Sequence, residues 1–327
     1  MPQKLLIEAI NDALREEMRR DETVFCIGQD IGAGGGVFLV TQGLQNEFGP
    51  DRVIDSPLAE SAIIGVSIGA AVNGMRPVAE MQFFDYILPA MEQIINEAAK
   101  MRWRSFDTWS VPMVMRAPTG GGVTGALYHS QSLEALFTNI PGLKVVLPAT
   151  PYDAKGLLKA AIRDPDPVLY LEHKKTYRSI RGEVPDGDFV VPIGKAEVKR
   201  QGTDLSIITW GLMVHYSLAA AEQLAQEGVS VEVVDLRTLL PVDNETILES
   251  ARKTGKALVV YEANRTGGFG GEIASTIAEF AFEHLDGPVT RLASPDLPAM
   301  PWSHAQENFF MLSPEKIAAA ARKLAAY

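Results

Sequence analysis

The chain has 327 residues, 46% hydrophobic and 22% charged, a composition of globular type whose length favours two domains over one. No apolar run approaches the roughly 18 residues of a membrane span. The formal charge of −11 comes with no Lys/Arg-rich stripe, which makes nucleic acid and anionic membranes poor partners and leaves room for a basic protein partner.

The opening MPQKLLIEAINDALREEM reads as an amphipathic helix, with Leu6, Ile10, Ala13, Leu14 and Met18 on one face. It has neither the apolar stretch of a signal peptide nor the Arg/Ser-rich, acid-poor character of a transit peptide, so a cytoplasmic protein is expected. Strands are expected at 24–30, 77–82, 111–115, 144–148 and 168–172, with helices at 58–72, 90–104 and 154–163. Strands separated by helices imply a parallel sheet covered on both faces, hence an α/β domain over 1–175. Arg-Gly, Val-Pro and Asp-Gly punctuation in SIRGEVPDGDFVVPIG marks 176–194 as a linker.

The alternation restarts in a smaller α/β domain over 195–327. Its strands are expected at 204–209, 231–236, 257–262 and 289–292, and its helices at 216–227, 244–253, 271–284 and 314–326. The helical faces Leu218, Ala221, Leu224 and Ile273, Ile277, Phe280 are wide enough for both a core and an interface. No fixed-period repeat or low-complexity tract interrupts either half.

The single cysteine, Cys26, lies in the apolar run VFCIG and reads as a small buried hydrophobe. The five histidines are too scattered for local metal-ligand spacing. The glycine runs GAGGG (32–36), GGG (120–122) and GGFGG (267–271) lack the continuation of a Walker loop or a dinucleotide fingerprint, and read as turns.

Three stretches are better placed for chemistry. In DSPLAES (55–61), Ser56 and Pro57 read as helix cap and first helical residue, putting Glu60 in the first turn of an apolar helix. An acid there offsets the helix dipole; desolvated by so apolar a helix, it also suits proton transfer. In GGGVTGALYHSQS (120–132), His129 follows a glycine-rich loop, a good place for a proton shuttle as well as for a packing residue. Between them EMQFFDY (80–86) carries Phe83, Phe84 and Tyr86, aromatics of a core or of a platform for a planar ring.

Taken in series, IGQDIGAGGGVFLVTQGL, DRVIDSPLAESAIIGVSIGAA, RPVAEMQFFDYILPAMEQIINEAAKMRWRS, GALYHSQSLEALF, PGLKVVLPATPYDAKGLLKAAIRDPDPVLYLEHK and VEVVDLRTLLPVDNETILESARKTGK span most of the chain. The series resembles the beta subunits of 2-oxo acid dehydrogenases and their acetoin-cleaving relatives, members of the transketolase-like thiamine enzymes. GALYHSQSLEALF and EANRTGGFGGEIASTIAE look nearest to the branched-chain (2-oxoisovalerate) type.

The resemblance implies a pyrimidine-binding first domain and a transketolase C-terminal-type second domain for assembly and docking. It implies thiamine diphosphate with Mg, oxidative decarboxylation of a branched-chain 2-oxo acid and acyl transfer to lipoyl groups. Pyruvate or acetoin is the alternative substrate, and a non-catalytic scaffold the alternative role. Glu60 matches the glutamate that hydrogen-bonds the aminopyrimidine and drives its tautomerism. Phe83 matches an aromatic packed on that ring; Gln29, Leu58, Ala59, Gln82 and Tyr86 match neighbours lining the cofactor pocket. Tyr86 and His129 fall on the substrate side, His129 matching a channel histidine of proton transfer or lipoyl handling. Met113, Ala161, Ile162, Asp164 and Asp166 fall where relatives hold a structural potassium ion.

Two positions depart from the pattern: Gln29 stands where a glutamate is usual, and Asp166 where an asparagine is common. The Gly-Asp-Gly segment that anchors the metal–diphosphate end is absent, so the resemblance implies a separate alpha chain, two of each chain per assembly, and a lipoyl acyltransferase core.

Overall fold

The computed structural model describes all 327 residues. They group into two compact units, 1–119 with 136–193, and 120–135 with 194–327. The first part of the chain runs β1 (Gln3–Leu5), α1 (Leu6–Arg20), β2 (Val24–Gly28), α2 (Leu44–Phe48), β3 (Val53–Asp55), α3 (Glu60–Val72) and β4 (Arg76–Glu80). It continues through α4 (Met101–Arg104), β5 (Val114–Thr119), α5 (Glu134–Thr138), β6 (Lys144–Val146), α6 (Pro151–Arg163), β7 (Val168–His173), α7 (Thr176–Ser179) and β8 (Arg181–Glu183).

In the first unit six strands pair in the order β6-β7-β5-β4-β2-β3, all parallel. The runs VFCIG and VLYLEH are buried at every position, as expected of strands covered on both faces. Helix α1 turns Leu6, Ile10, Ala13, Leu14 and Met18 into a core shared with Leu157, Leu158 and Ile162 of α6. Thr150 caps α6 by accepting from Asp153 N–H, with Pro151 at the first helical position.

The expected helix 90–104 is not a single helix. A 3₁₀ segment (Phe84–Ala90) leads into a π segment (Gln93–Ala98) and then α4. Pro89 cannot donate an N–H and fixes its own φ, which breaks a regular α start. The stretch read as a linker is built into the first unit as far as Ile193: β8 pairs antiparallel with β1, Gln3 opposite Glu183.

The second part of the chain adds β9 (Glu197–Arg200), β10 (Leu205–Thr209), α8 (Leu212–Gln226), β11 (Val231–Asp235), β12 (Thr238–Leu240) and α9 (Asn244–Thr254). It ends with β13 (Ala257–Asn264), α10 (Gly270–Phe280), β14 (Thr290–Ser294), α11 (His304–Phe310) and α12 (Pro314–Ala325). The sheet order is β14-β13-β10-β11-β9, parallel except for β9. Asp243 caps α9 through Thr246 N–H, and Gly255 closes it at φ +68°. Of the two helical faces singled out above, Ala221, Leu224, Ile273 and Ile277 are wholly core, whereas Phe280 is exposed. No helix is long and apolar enough to cross a membrane.

Candidate functional site

Strand β2 lies between β3 and β4, all three parallel, so the loops after them leave the sheet at one edge. Ligands of open α/β sheets bind beyond the carboxyl ends of the strands. Those loops carry Gln29 after β2, Leu58–Glu60 after β3 and Gln82–Tyr86 after β4. Gln82 Nε2 donates to Asp30 Oδ2 at 3.0 Å and to the Gln29 carbonyl at 3.5 Å, tying two of the three loops together. Gly28 is required beneath them, because a Cβ there would lie 2.9 Å from the Glu80 carbonyl.

The expectation that Ser56 caps the helix with Pro57 at its first position is corrected. Helix α3 starts at Glu60 with Ala59 as its N-cap, and Ser56 Oγ donates to Pro57 O at 2.9 Å. Ser56 N–H is taken by Gly28 O, which keeps the chain extended beside β2 for longer than the capping pattern implies. Leu58 is thereby left 70% exposed, and Glu60 stands half-buried at the positive end of the helix dipole.

After β4, the Phe83 ring meets Tyr86 edge-on at 6.1 Å and Phe38 at 5.4 Å, with Lys174 Nζ 5.9 Å from its centroid. Phe84, by contrast, is wholly buried and belongs to the core.

Beneath this edge lies a buried polar network that sequence reasoning missed. Arg116 of β5 donates to Glu172 through two nitrogens at 2.7 and 2.8 Å and to Glu80 at 2.5 Å; Tyr177 O–H also donates to Glu172. Burial raises the Glu80 carboxyl; Arg116 pulls it back and the Glu172 charge pushes it further up. The available signal was a charged residue among apolar neighbours in each of three strands: Glu80 in RPVAE, Arg116 in VMRAPT and Glu172 in VLYLEH.

Around the residues matched to a potassium site, much of the oxygen is engaged. Arg76 Nη1 donates to the Ile162 and Asp164 carbonyls at 2.8 and 3.2 Å, and Lys144 Nζ pairs with the Asp164 carboxylate at 2.6 Å. Arg102 Nε holds Asp166 at 2.6 Å, while Met113 O accepts Val168 N–H and Ala161 O accepts Asp164 N–H.

His129 lies in the segment 120–135, part of the second unit, half-buried between exposed Tyr128 and buried Ser130. Five residues on, Glu134 Oε1 accepts from Trp210 Nε1 at 3.3 Å and Oε2 has no partner. Burial pushes this carboxyl up to about 7; its own backbone N–H and Trp210 oppose the rise and the Glu262 charge adds to it. Between about pH 4.5 and 7 the folded chain therefore holds a proton that the unfolded chain has released, and stability falls as pH rises through that window. The shift corresponds to about 3 kcal/mol. Glu134→Gln is expected to gain in melting temperature over the wild type progressively from pH 5 to 8. Parallel curves would show that this group does not titrate there.

Residues 4–179 match the family described as transketolase, pyrimidine binding domain, and residues 194–317 the transketolase, C-terminal domain. The chain is 60% identical over 321 residues to the 2-oxoisovalerate dehydrogenase subunit beta of Bacillus subtilis (strain 168), with 98% of each covered. It is 50% identical over 324 residues to the pyruvate dehydrogenase E1 component subunit beta of the same organism, with 99% of each covered. A solved structure titled "Split gene transketolase, inactive beta4 tetramer" superposes with a TM-score of 0.80 over 98% of both chains; at 24% identity it speaks to the fold. Fold and domain matches thus define a transketolase-type α/β protein. Within that class the chain belongs to the E1 beta subunits of the 2-oxo acid dehydrogenases.

Proposed function

We infer that this beta subunit works with an alpha chain to decarboxylate a branched-chain 2-oxo acid oxidatively and pass the acyl group to a lipoyl domain of an acyltransferase core. The observation that carries the reading is the convergence of the Gln29, Leu58–Glu60 and Gln82–Tyr86 loops on one sheet edge, with a half-buried carboxylate opening a helix there. The donor set fits the pyrimidine half of thiamine diphosphate: a carboxylate, aromatic faces and apolar walls. Bound there, the cofactor would supply the electron sink for cleaving the bond beside a 2-oxo group. Glu60 would hold and return a proton at the ring nitrogen, Phe83 and Tyr86 would flank the ring, and Leu58 and Ala59 would line it. Gln29 offers no carboxylate, and Glu60 is the carboxylate proposed to exchange a proton with the ring.

The branched-chain substrate is favoured by 60% identity to the 2-oxoisovalerate relative against 50% to the pyruvate relative. A panel of 2-oxo acids turned over by the reconstituted assembly discriminates the two, and a clear preference for pyruvate would overturn the assignment.

With no Gly-Asp-Gly segment and no cluster of three metal-ligating side chains, this chain supplies one half of the cofactor site and the alpha chain the Mg–diphosphate half. Calorimetry is expected to show no appreciable thiamine diphosphate binding by the beta chain alone and binding once the alpha chain is added. Tight binding by the lone chain would refute the division.

Met113, Ala161, Ile162, Asp164 and Asp166 are proposed to hold a structural potassium ion, which would share the Ile162 and Asp164 oxygens with Arg76. The melting temperature should then be higher in potassium chloride than in choline chloride at equal ionic strength. Equal midpoints remove the ion.

A further inference from the structure

The loop that carries His129 closes on itself: Gly120 N–H donates to Gln131 O at 3.3 Å. Within the second unit both feet of the loop are tied to a single oxygen. Glu262 Oε1, near the end of β13, accepts Gly121 N–H at 2.6 Å and Ser132 Oγ–H at 3.4 Å. Farther along, Glu307 Oε1 of α11 accepts both Gly122 N–H and Thr124 N–H at 3.0 Å. The two glutamates are only 7% and 2% exposed.

The loop needs such anchors. Thr124 and Ala126 sit at φ +60° and +56°, a conformation that residues with side chains keep only where the surroundings impose it. Gly125, between them, folds back on the histidine. A Cβ there would lie 2.8 Å from His129 O, 3.0 Å from His129 Cβ and 2.7 Å from Ser130 Oγ.

We propose that Glu262 and Glu307 are positioning residues for His129, and that the Gly125 contact transmits the place of the loop they hold to the histidine. The proposal rests on reading His129 as the residue that handles the acyl-accepting lipoyl group. A carboxylate without a local motif, 133 or more residues away in sequence, thereby sets the geometry of a transfer step. Displacing a reacting group by about 1 Å costs on the order of 10²-fold in rate.

The test uses the full beta chain assembled with its alpha chain, carrying Glu307→Gln, Glu307→Ala or Gly125→Ala, each with and without His129→Ala. Two quantities are measured: the rate of lipoyl-domain acylation, and the rate at which diethyl pyrocarbonate modifies His129, read from its peptide by mass spectrometry. Glu307→Ala and Gly125→Ala are expected to slow acylation by on the order of 10²-fold and to alter His129 reactivity. Glu307→Gln should stay near wild type, because both bonds land on one oxygen that an amide can supply. Neither loss should add to that of His129→Ala. If Glu307→Ala fails to assemble, Gly125→Ala, which breaks a different contact, decides. Unchanged His129 reactivity in the variants, or equal rate losses with and without His129, overturns the proposal. Altered reactivity in a protein whose His129→Ala form keeps full activity upholds the positioning and removes the catalytic reading instead.

Discussion

Glu60→Gln is expected to leave the assembled protein folded and to cut turnover by about 10²–10⁴-fold, the range of a lost acid–base group. The amide keeps the shape and the hydrogen-bonding reach of the side chain but cannot hold and return a proton at neutral pH. Structurally the change is mild, because Glu60 is half-buried at the first helical position. Only the helix-dipole contribution is at stake, about 0.3–1 kcal/mol. Turnover and melting temperature should therefore part company. A variant with near-normal turnover and a lowered melting point would leave Glu60 as a dipole-compensating residue and nothing more.

Arg116→Met should do the reverse and fail on stability first. The guanidinium is 1% exposed and sits between Glu80 and Glu172, which are 6% and 0% exposed. Removing it leaves two buried carboxylates facing each other, and breaking such a pair costs about 3–5 kcal/mol. At 2–4 °C per kcal/mol for a unit of about 150–250 residues, the size class of the first unit, its melting temperature should drop by on the order of 6–20 °C. Replacing all three residues with apolar ones of similar size should restore much of the loss, since the desolvation cost disappears with the charges. A drop of under about 2 °C for Arg116→Met alone, on the same scale, would show that the network contributes little.

The elements legible in the sequence were those whose residues bury a continuous face. VFCIG and VLYLEH are apolar along their length, and α1 shows its stripe at helical spacing. The region 90–104 misled because helical periodicity cannot distinguish 3₁₀, α and π winding, and Pro89 had already disturbed the register. The cap at Ser56–Pro57 misled because a tertiary bond from Ser56 N–H to Gly28 O outweighed a local preference. Among candidate site residues, Glu60 and the Gln82–Tyr86 stretch stood out through their immediate neighbours. Glu80, Arg116 and Glu172 did not, because their meaning comes from strand adjacency. Glu262 and Glu307 carried no signal at all: each acts on a backbone N–H more than a hundred residues away.

That separation has a consequence for how the chain matures. The glycine loop is made early, yet its anchor Glu307 emerges 185 residues after Gly122. At typical synthesis speeds of about 5–20 residues per second, the loop waits roughly 10–40 s on the ribosome before that partner exists. Contacts so distant in sequence also form slowly, because the entropy of closing the intervening chain must be overcome before they stabilise anything. The tip of the His129 loop is then expected among the last parts of the molecule to order, and until residue 307 is made Val123, Leu127 and Tyr128, exposed in the finished protein too, lie on a backbone that lacks its two Glu307 bonds. Nascent chains stalled before residue 307 should be cut within 120–132 by a protease that spares the finished protein.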